Sequence, residues 1–198
     1  MTNCDKKTFD KAVDLIKKGK VISFATETVY GVGVIFDNKD AFDSLVSVKR
    51  RSPDKPFSMM LADISELDKY AILDERAKRI VNKFMPGEIT ILVKAKNVPD
   101  WVTLGTGIVG IRIPNDDFVR NLIRNVGKPM LVTSANRSGM PTLTKYEDVV
   151  NDFKELELII EGECQSNLPS TIINTVGDIK IIRVGSVSEQ EILKCLED

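Results

Sequence analysis

Apolar positions fall into two rhythms along this chain. Phe9, Ala12, Val13 and Ile16 recur at helical spacing after Thr8, and Lys17, Lys18 and Gly19 suit the far end of a helix. Ala41, Leu45 and Val48 mark a second helix after the turn Asp37-Asn38. Short helices are predicted over 64–70 and 74–84, the latter with Ala77, Ile80, Val81 and Phe84 inward, and another over 116–126, ended by Gly127. Thr144 with Glu147, and Ser188 with Glu191, have capping-box spacing for two more. Between the helices, short apolar runs at 21–24, 34–36, 57–61, 89–93, 109–113, 130–132 and 156–160 read as strands. Gly177-Asp178 joins 170–176 to 179–184 as a hairpin signal. Helices and strands alternate to the end with no repeat or linker, so the expectation is one α/β (α+β) domain over 1–198.

The polar breaks in this pattern carry the candidate chemistry. The run at 130–132 stops at Thr133, Ser134, Ala135, Asn136, Arg137, Ser138 and Gly139, a set of small donors and acceptors past a strand end. Crevices of α/β sheets lie at such ends, although a turn alone can use Ser134 and Asn136. If 25–33 is extended, Thr26, Thr28 and Tyr30 point the same way, around a small polar ligand or on an ordinary strand face. The second helix ends in Lys49, Arg50 and Arg51, and Lys55 follows among Pro53 and Pro56. Four cations around two prolines form a semi-rigid positive loop, suited to polyphosphate or simply solvated. Arg112 shares a strand face with Gly110, opposite Val109, Ile111 and Ile113. It reads either as an arginine over an open cavity or as a surface arginine. Trp101 sits on a loop and reads as packing.

Composition narrows the chemistry. Among 198 residues 42% are hydrophobic and 29% charged, with a formal net charge of −1, so an anion site must be a local cluster. The chain has no histidine, which removes Ser-His-Asp and Cys-His catalysis and argues against a catalytic zinc. Cys4, Cys164 and Cys195 fit neither a disulfide framework nor a zinc spacing. No Gly-rich dinucleotide or P-loop motif is present, so any nucleotide is held mainly by side chains. No apolar run is long enough to span a bilayer and no signal peptide opens the chain, which points to the cytoplasm.

Seven motifs in order then resemble one family. They are Thr26-Glu27-Thr28-Val29-Tyr30-Gly31; Lys49-x-Arg51 with Lys55-Pro56; Pro86-Gly87; Gly110-Ile111-Arg112-Ile113-Pro114; Thr133-Ser134-Ala135-Asn136-x-Ser138-Gly139; Pro169-Ser170-Thr171; and Ile182-Arg183-x-Gly185. Together they resemble the YrdC/Sua5 family of threonylcarbamoyl-AMP synthases, in its short single-domain form. The resemblance implies a strongly twisted, mixed β-sheet flanked by helices, with a positive concave cavity. It implies that L-threonine, bicarbonate and ATP give threonylcarbamoyl-adenylate and pyrophosphate, for N6-threonylcarbamoyladenosine in tRNA. Magnesium would accompany ATP with no protein ligand assigned, and tRNA and the downstream transfer proteins would be partners. By the family pattern Lys49, Arg51 and Lys55 hold the phosphates, with Lys49 and Arg51 steadying the transferring phosphoryl group. Asn136, Thr144 and Arg183 complete the ATP side. Thr28, Arg112, Ser134 and Ser170 serve threonine, supported by Thr26 and Tyr30. The sequence departs from the pattern at Ala25 and Glu88, which replace prolines, and at Met59 and Met60, where some members have a histidine. A YciO-type paralogue, or an RNA-binding module using the same cavity, are the rival readings.

Overall fold

The computed structural model describes residues 2, 4–52 and 55–197. Pro53 and Asp54 of the basic loop lie outside the described residues. Helix α1 (Lys6–Lys17) is capped by Asp5, whose side chain accepts from Thr8 N. After β1 (Ile22–Phe24) the chain turns into β2 (Gly31–Ile35), so 25–30 is a turn and not the extended segment expected. Its cause is local: Thr26 Oγ1 donates to Val29 O and accepts from Thr28 N, a hydroxyl-closed turn that competes with a strand.

Helix α2 (Lys39–Lys49) leads to β3 (Ser58–Met60), a 3-10 turn (Ile64–Glu66), α3 (Leu67–Tyr70), a two-residue β4 (Ala71–Ile72) and α4 (Glu75–Phe84). Then come β5 (Ile89–Ala95), α5 (Asp100–Thr103), β6 (Ile108–Arg112), α6 (Asp117–Val126) and β7 (Met130–Ser134). The chain continues with α7 (Tyr146–Asp152), β8 (Thr171–Asn174), β9 (Lys180–Arg183) and α8 (Glu189–Glu197). Trp101 is on the single turn of α5, not a loop, and packs edge-on against Phe42 at 5.3 Å. Segment 156–160 is not a strand; it touches the sheet through one bridge between Ser23 and Ile159. Thr144 and Glu147 form no capping box, because α7 starts at Tyr146 with Lys145 at the cap and no side-chain cap bond. Ser188 and Glu191 do cap α8 reciprocally.

The strands form one twisted mixed sheet in the order β1-β2-β7-β3-β6-β5-β8-β9, with β4 on the end of β5. The β3–β6 and β5–β8 pairs are parallel and the others antiparallel. Helices flank the sheet: α1 packs on α6, α4 on α8 and α2 against β2. The central strands are buried along nearly their whole length, with Val34, Met59, Ile91, Ile111 and Leu131 in the core, which is why they read as continuous apolar runs. This topology brings Thr133-Ser134 beside Gly31-Val32, and Met60 beside Arg112, across more than 50 residues of sequence each.

Candidate active site

A cavity of about 140 Å³, open on one side, lies over this part of the sheet. It is lined by residues of the 25–31 turn, the basic loop, β3, β6, β7 and the start of β8. Thr26, Thr28, Tyr30, Arg51, Arg112, Ser134, Ser170 and Arg183, all singled out from the sequence, meet there. Such a volume suits a small polar molecule, and anything larger must extend out through the open side.

Arg112 forms the inner wall. It is 5% exposed and lines the open cavity, so it is the cavity arginine of the two readings and not a surface one. Its Nη2 lies 2.9 Å from Glu27 Oε1; Nη1 and Nη2 both donate to Thr28 Oγ1 at 3.2 Å, and Nε donates to Gly87 O. On the far wall Arg183 donates through Nε and Nη2 to Ser170 O, and Ser170 Oγ lies 3.0 Å from Thr90 Oγ1. Gly185 permits this join: a Cβ there would meet Pro169 O at 2.0 Å. Much of Arg183 is exposed, yet desolvation of its guanidinium and then the charges of Arg112 and Arg51 lower its pKa. Arg183 therefore feels the other two guanidinium groups across a single hollow.

Lys49 is the last residue of α2, not part of the loop, and is 1% exposed. Arg50 at the C-cap takes a left-handed φ of 47°, costing about 1–2 kcal/mol for a residue with a side chain. That kink separates Lys49 from Arg51. Lys49 turns inward, and Nζ donates to Ser134 O, Asn136 O and, at 2.8 Å, Asn136 Oδ1. Asn136 Oδ1 also accepts from Ser134 Oγ at 2.7 Å. Burial, then the charges of Arg51 and Arg137, push Lys49 down to about 7. The three acceptors act the other way, because satisfying all of them takes the three N–H groups of an ammonium. Arg51 turns to the cavity, with Nε and Nη2 on Lys55 O and Pro56 O and its guanidinium 5.1 Å from the Phe57 ring.

Other candidates sit elsewhere. Lys55 is exposed and meets Arg51 through its main-chain carbonyl. Lys49 and Asn136 lie behind Ser134 rather than in the lining, and Thr144 lines a separate cleft with Tyr146, Glu147 and Cys164. Tyr30 lines the cavity, but its hydroxyl is bound on the far side: it donates to Gly162 O and accepts from Gly162 N, and burial raises its pKa. Met60 lines the cavity and Met59 is buried below, so no imidazole stands at this place in the wall. Sequence reasoning missed Glu27, Ser58 and Thr90. An acid directly after a core strand is the signal that could have found Glu27.

A family model described as "Telomere recombination", which unites the Sua5, YciO and YrdC proteins, matches residues 14–185. A "Putative threonylcarbamoyl-AMP synthase" of Methanocaldococcus jannaschii is 35% identical over 93% of this chain and 91% of that protein. The crystal structure of Pyrococcus abyssi Sua5 complexed with L-threonine superposes with a TM-score of 0.92 at 29% identity, over 98% of this chain. This chain spans only 58% of that one. Escherichia coli YciO superposes with a TM-score of 0.88 at 26% identity, covering 96% of this chain and 95% of YciO. With the family model spanning most of its length, and its motifs gathered on one hollow, the chain belongs to the Sua5/YciO/YrdC family.

Proposed function

We propose that this chain condenses L-threonine, bicarbonate and ATP into threonylcarbamoyl-adenylate and pyrophosphate. The observation that carries this reading is the hollow itself: Arg51, Arg112 and Arg183 among the hydroxyls of Thr26, Thr28, Thr90, Ser134 and Ser170, with no side-chain nucleophile beyond hydroxyls in its lining. The reaction asks for none. Threonine nitrogen takes up bicarbonate carbon with loss of water, and the resulting carboxylate attacks the α-phosphate of ATP. An O–Pα bond forms, the Pα–O–Pβ bond breaks, and pyrophosphate leaves with the electron pair. The protein's work is to hold two reactants together and to neutralise spreading negative charge. Arg51 at the mouth meets the phosphates, and Arg112 on the inner wall meets the amino-acid carboxylate through an N–H of its guanidinium. Lys49 braces the Ser134–Asn136 corner from behind. Thr28, Ser134 and Ser170 serve the amino acid, with Thr26 and Tyr30 supporting.

Magnesium enters as the companion of ATP. No carboxylate lines the hollow, and no three His, Cys, Asp or Glu side chains cluster to hold a metal among the described residues. No ligand set is therefore assigned to it among the described residues, and no step is routed through it. The adenylate is an activated acyl donor, and its consumer in this reading is the adenosine of a tRNA, reached through transfer proteins. We place the reaction in the cytoplasm; none of the described helices is long and apolar enough to cross a membrane.

The test is pyrophosphate release with each substrate omitted in turn. Release that requires both threonine and bicarbonate supports the assignment. Release indifferent to either one, or none at all, refutes it and favours a YciO-like protein with the same fold and another ligand.

A further inference from the structure

Glu27 carries an observation that the proposed reaction does not use. It lies in the turn between β1 and β2, 3% exposed. Oε1 sits 2.9 Å from Arg112 Nη2 and accepts from Asn115 N at 2.7 Å. Oε2 is buried with no hydrogen-bond partner among the described residues. Asn115 immediately precedes Asp116, the N-cap of α6, so the carboxylate is also held at the positive end of a ten-residue helix. Nothing in this arrangement is the economical way to stabilise a core. Burying an ion pair gains little over packing two apolar side chains, and an orphaned carboxylate oxygen adds a desolvation cost.

What the pair does provide is orientation. Arg112 is fixed through Nε by Gly87 O, through Nη1 and Nη2 by Thr28 Oγ1, and through Nη2 by Glu27. Three of its five N–H groups donate hydrogen bonds, one from each nitrogen; Glu27 lies against Nη2 as an ion pair, and the second N–H of Nη1 has no acceptor among the described residues, on an arginine that lines the hollow. Glu27 is not itself in the lining. We infer that Glu27 is a positioning residue: it acts through Arg112, fixing the guanidinium plane so that the remaining N–H meets the carboxylate of the amino-acid substrate. This rests on the reading that the hollow takes an amino acid. The sequence separation of 85 residues between the two explains why no local motif announces the pair.

The test is a double-mutant cycle on the full chain with Glu27→Gln, Arg112→Gln and the pair, reading L-threonine binding by calorimetry and the KM values for threonine and ATP. Glu27→Gln keeps an acceptor for Asn115 N and removes the charge that aligns Arg112. The expected result is a roughly tenfold weaker threonine affinity and higher threonine KM, with the ATP KM within about twofold. In the Arg112→Gln background the same change should have no further effect. Unchanged or tighter threonine binding in Glu27→Gln overturns the inference, and so does a full-sized effect without Arg112. If Glu27→Gln does not fold, Glu27→Asp, which keeps the charge but withdraws it by one methylene, must show the same KM split or the inference falls. A wild-type protein that binds no threonine refutes the proposed function instead, so the two failures are told apart.

Discussion

At the inner end of the hollow, Arg112 is matched by a carboxylate, Glu27, and locked by Thr28 and Gly87. Behind the Ser134 corner, Lys49 is matched by three neutral oxygens, of Ser134 and Asn136. Both cations are almost wholly buried, but their charges have different fates. A carboxylate cancels a positive charge, whereas carbonyl and amide dipoles hold its N–H groups and leave the charge in place. The uncancelled charge shows in the Lys49 pKa, lowered by burial and by repulsion from Arg51 and Arg137. In the proposed reaction the inner end, with its guanidinium held in place, takes the amino-acid carboxylate, and the outer end takes the polyphosphate.

The largest effect should come from the outer end. Arg51→Ala removes a guanidinium from the mouth without opening the core, and should lower pyrophosphate release by about 10²–10³-fold. Melting should shift by no more than a few degrees. A rate within threefold of wild type would place the transferring phosphoryl group elsewhere and break the division between the two ends.

Lys49→Met comes next. It strands the carbonyls of Ser134 and Asn136, so a loss of about 2–4 kcal/mol is expected in chemical denaturation, beside a loss of turnover. The pH dependence sharpens the point. A lysine at about 7 when folded, against an ordinary value near 10.5, binds its proton more readily in the unfolded chain between those limits. The contribution of Lys49 to stability therefore rises with pH from 7 to about 10.5, and Lys49→Met should lack that rise. Equal pH profiles for the two proteins would mean that the three acceptors outweigh burial and keep the ammonium charged throughout.

Much of the scaffold was legible from the sequence because its signals are local. The inward stripes of α2, α4 and α6, the hairpin at Gly177 and the Ser188–Glu191 cap all depend on neighbours within a few residues. The failures have tertiary causes. Thr144 and Glu147 have the spacing of a cap, but α7 begins beyond Thr144. Segment 156–160 is apolar enough for a strand and meets the sheet only at Ser23 and Ile159. The membership of the hollow was readable as motifs, since Thr28, Arg112, Ser134 and Ser170 do converge. The bonding within it was not. Lys49 looked like a loop cation because sequence does not show that Arg50 takes a left-handed turn. Thr90 hid among isoleucines as an ordinary strand former, and Glu27 hid because its partner lies on β6.

The smallest effect tests whether the inner end is as preset as it looks. Asp116 caps α6 through Val119 N and is 7% exposed. Burial raises its pKa, the bond from Val119 N opposes the rise, and the neighbouring charge of Glu27 adds to it. An acid whose folded pKa lies above its unfolded one costs stability when ionised, so stability falls as pH climbs through that interval. Asparagine caps a helix as well as aspartate and carries no charge. Asp116→Asn should therefore change stability by less than about 1 kcal/mol at pH 7, and should lack the acid-range fall that Asp116 contributes. Threonine affinity should stay within twofold, because Asn115 N still reaches Glu27. A larger loss of affinity would mean that the charge of Asp116 is itself needed to hold Glu27 against Arg112. The inner end would then be a network of three charged groups rather than a pair.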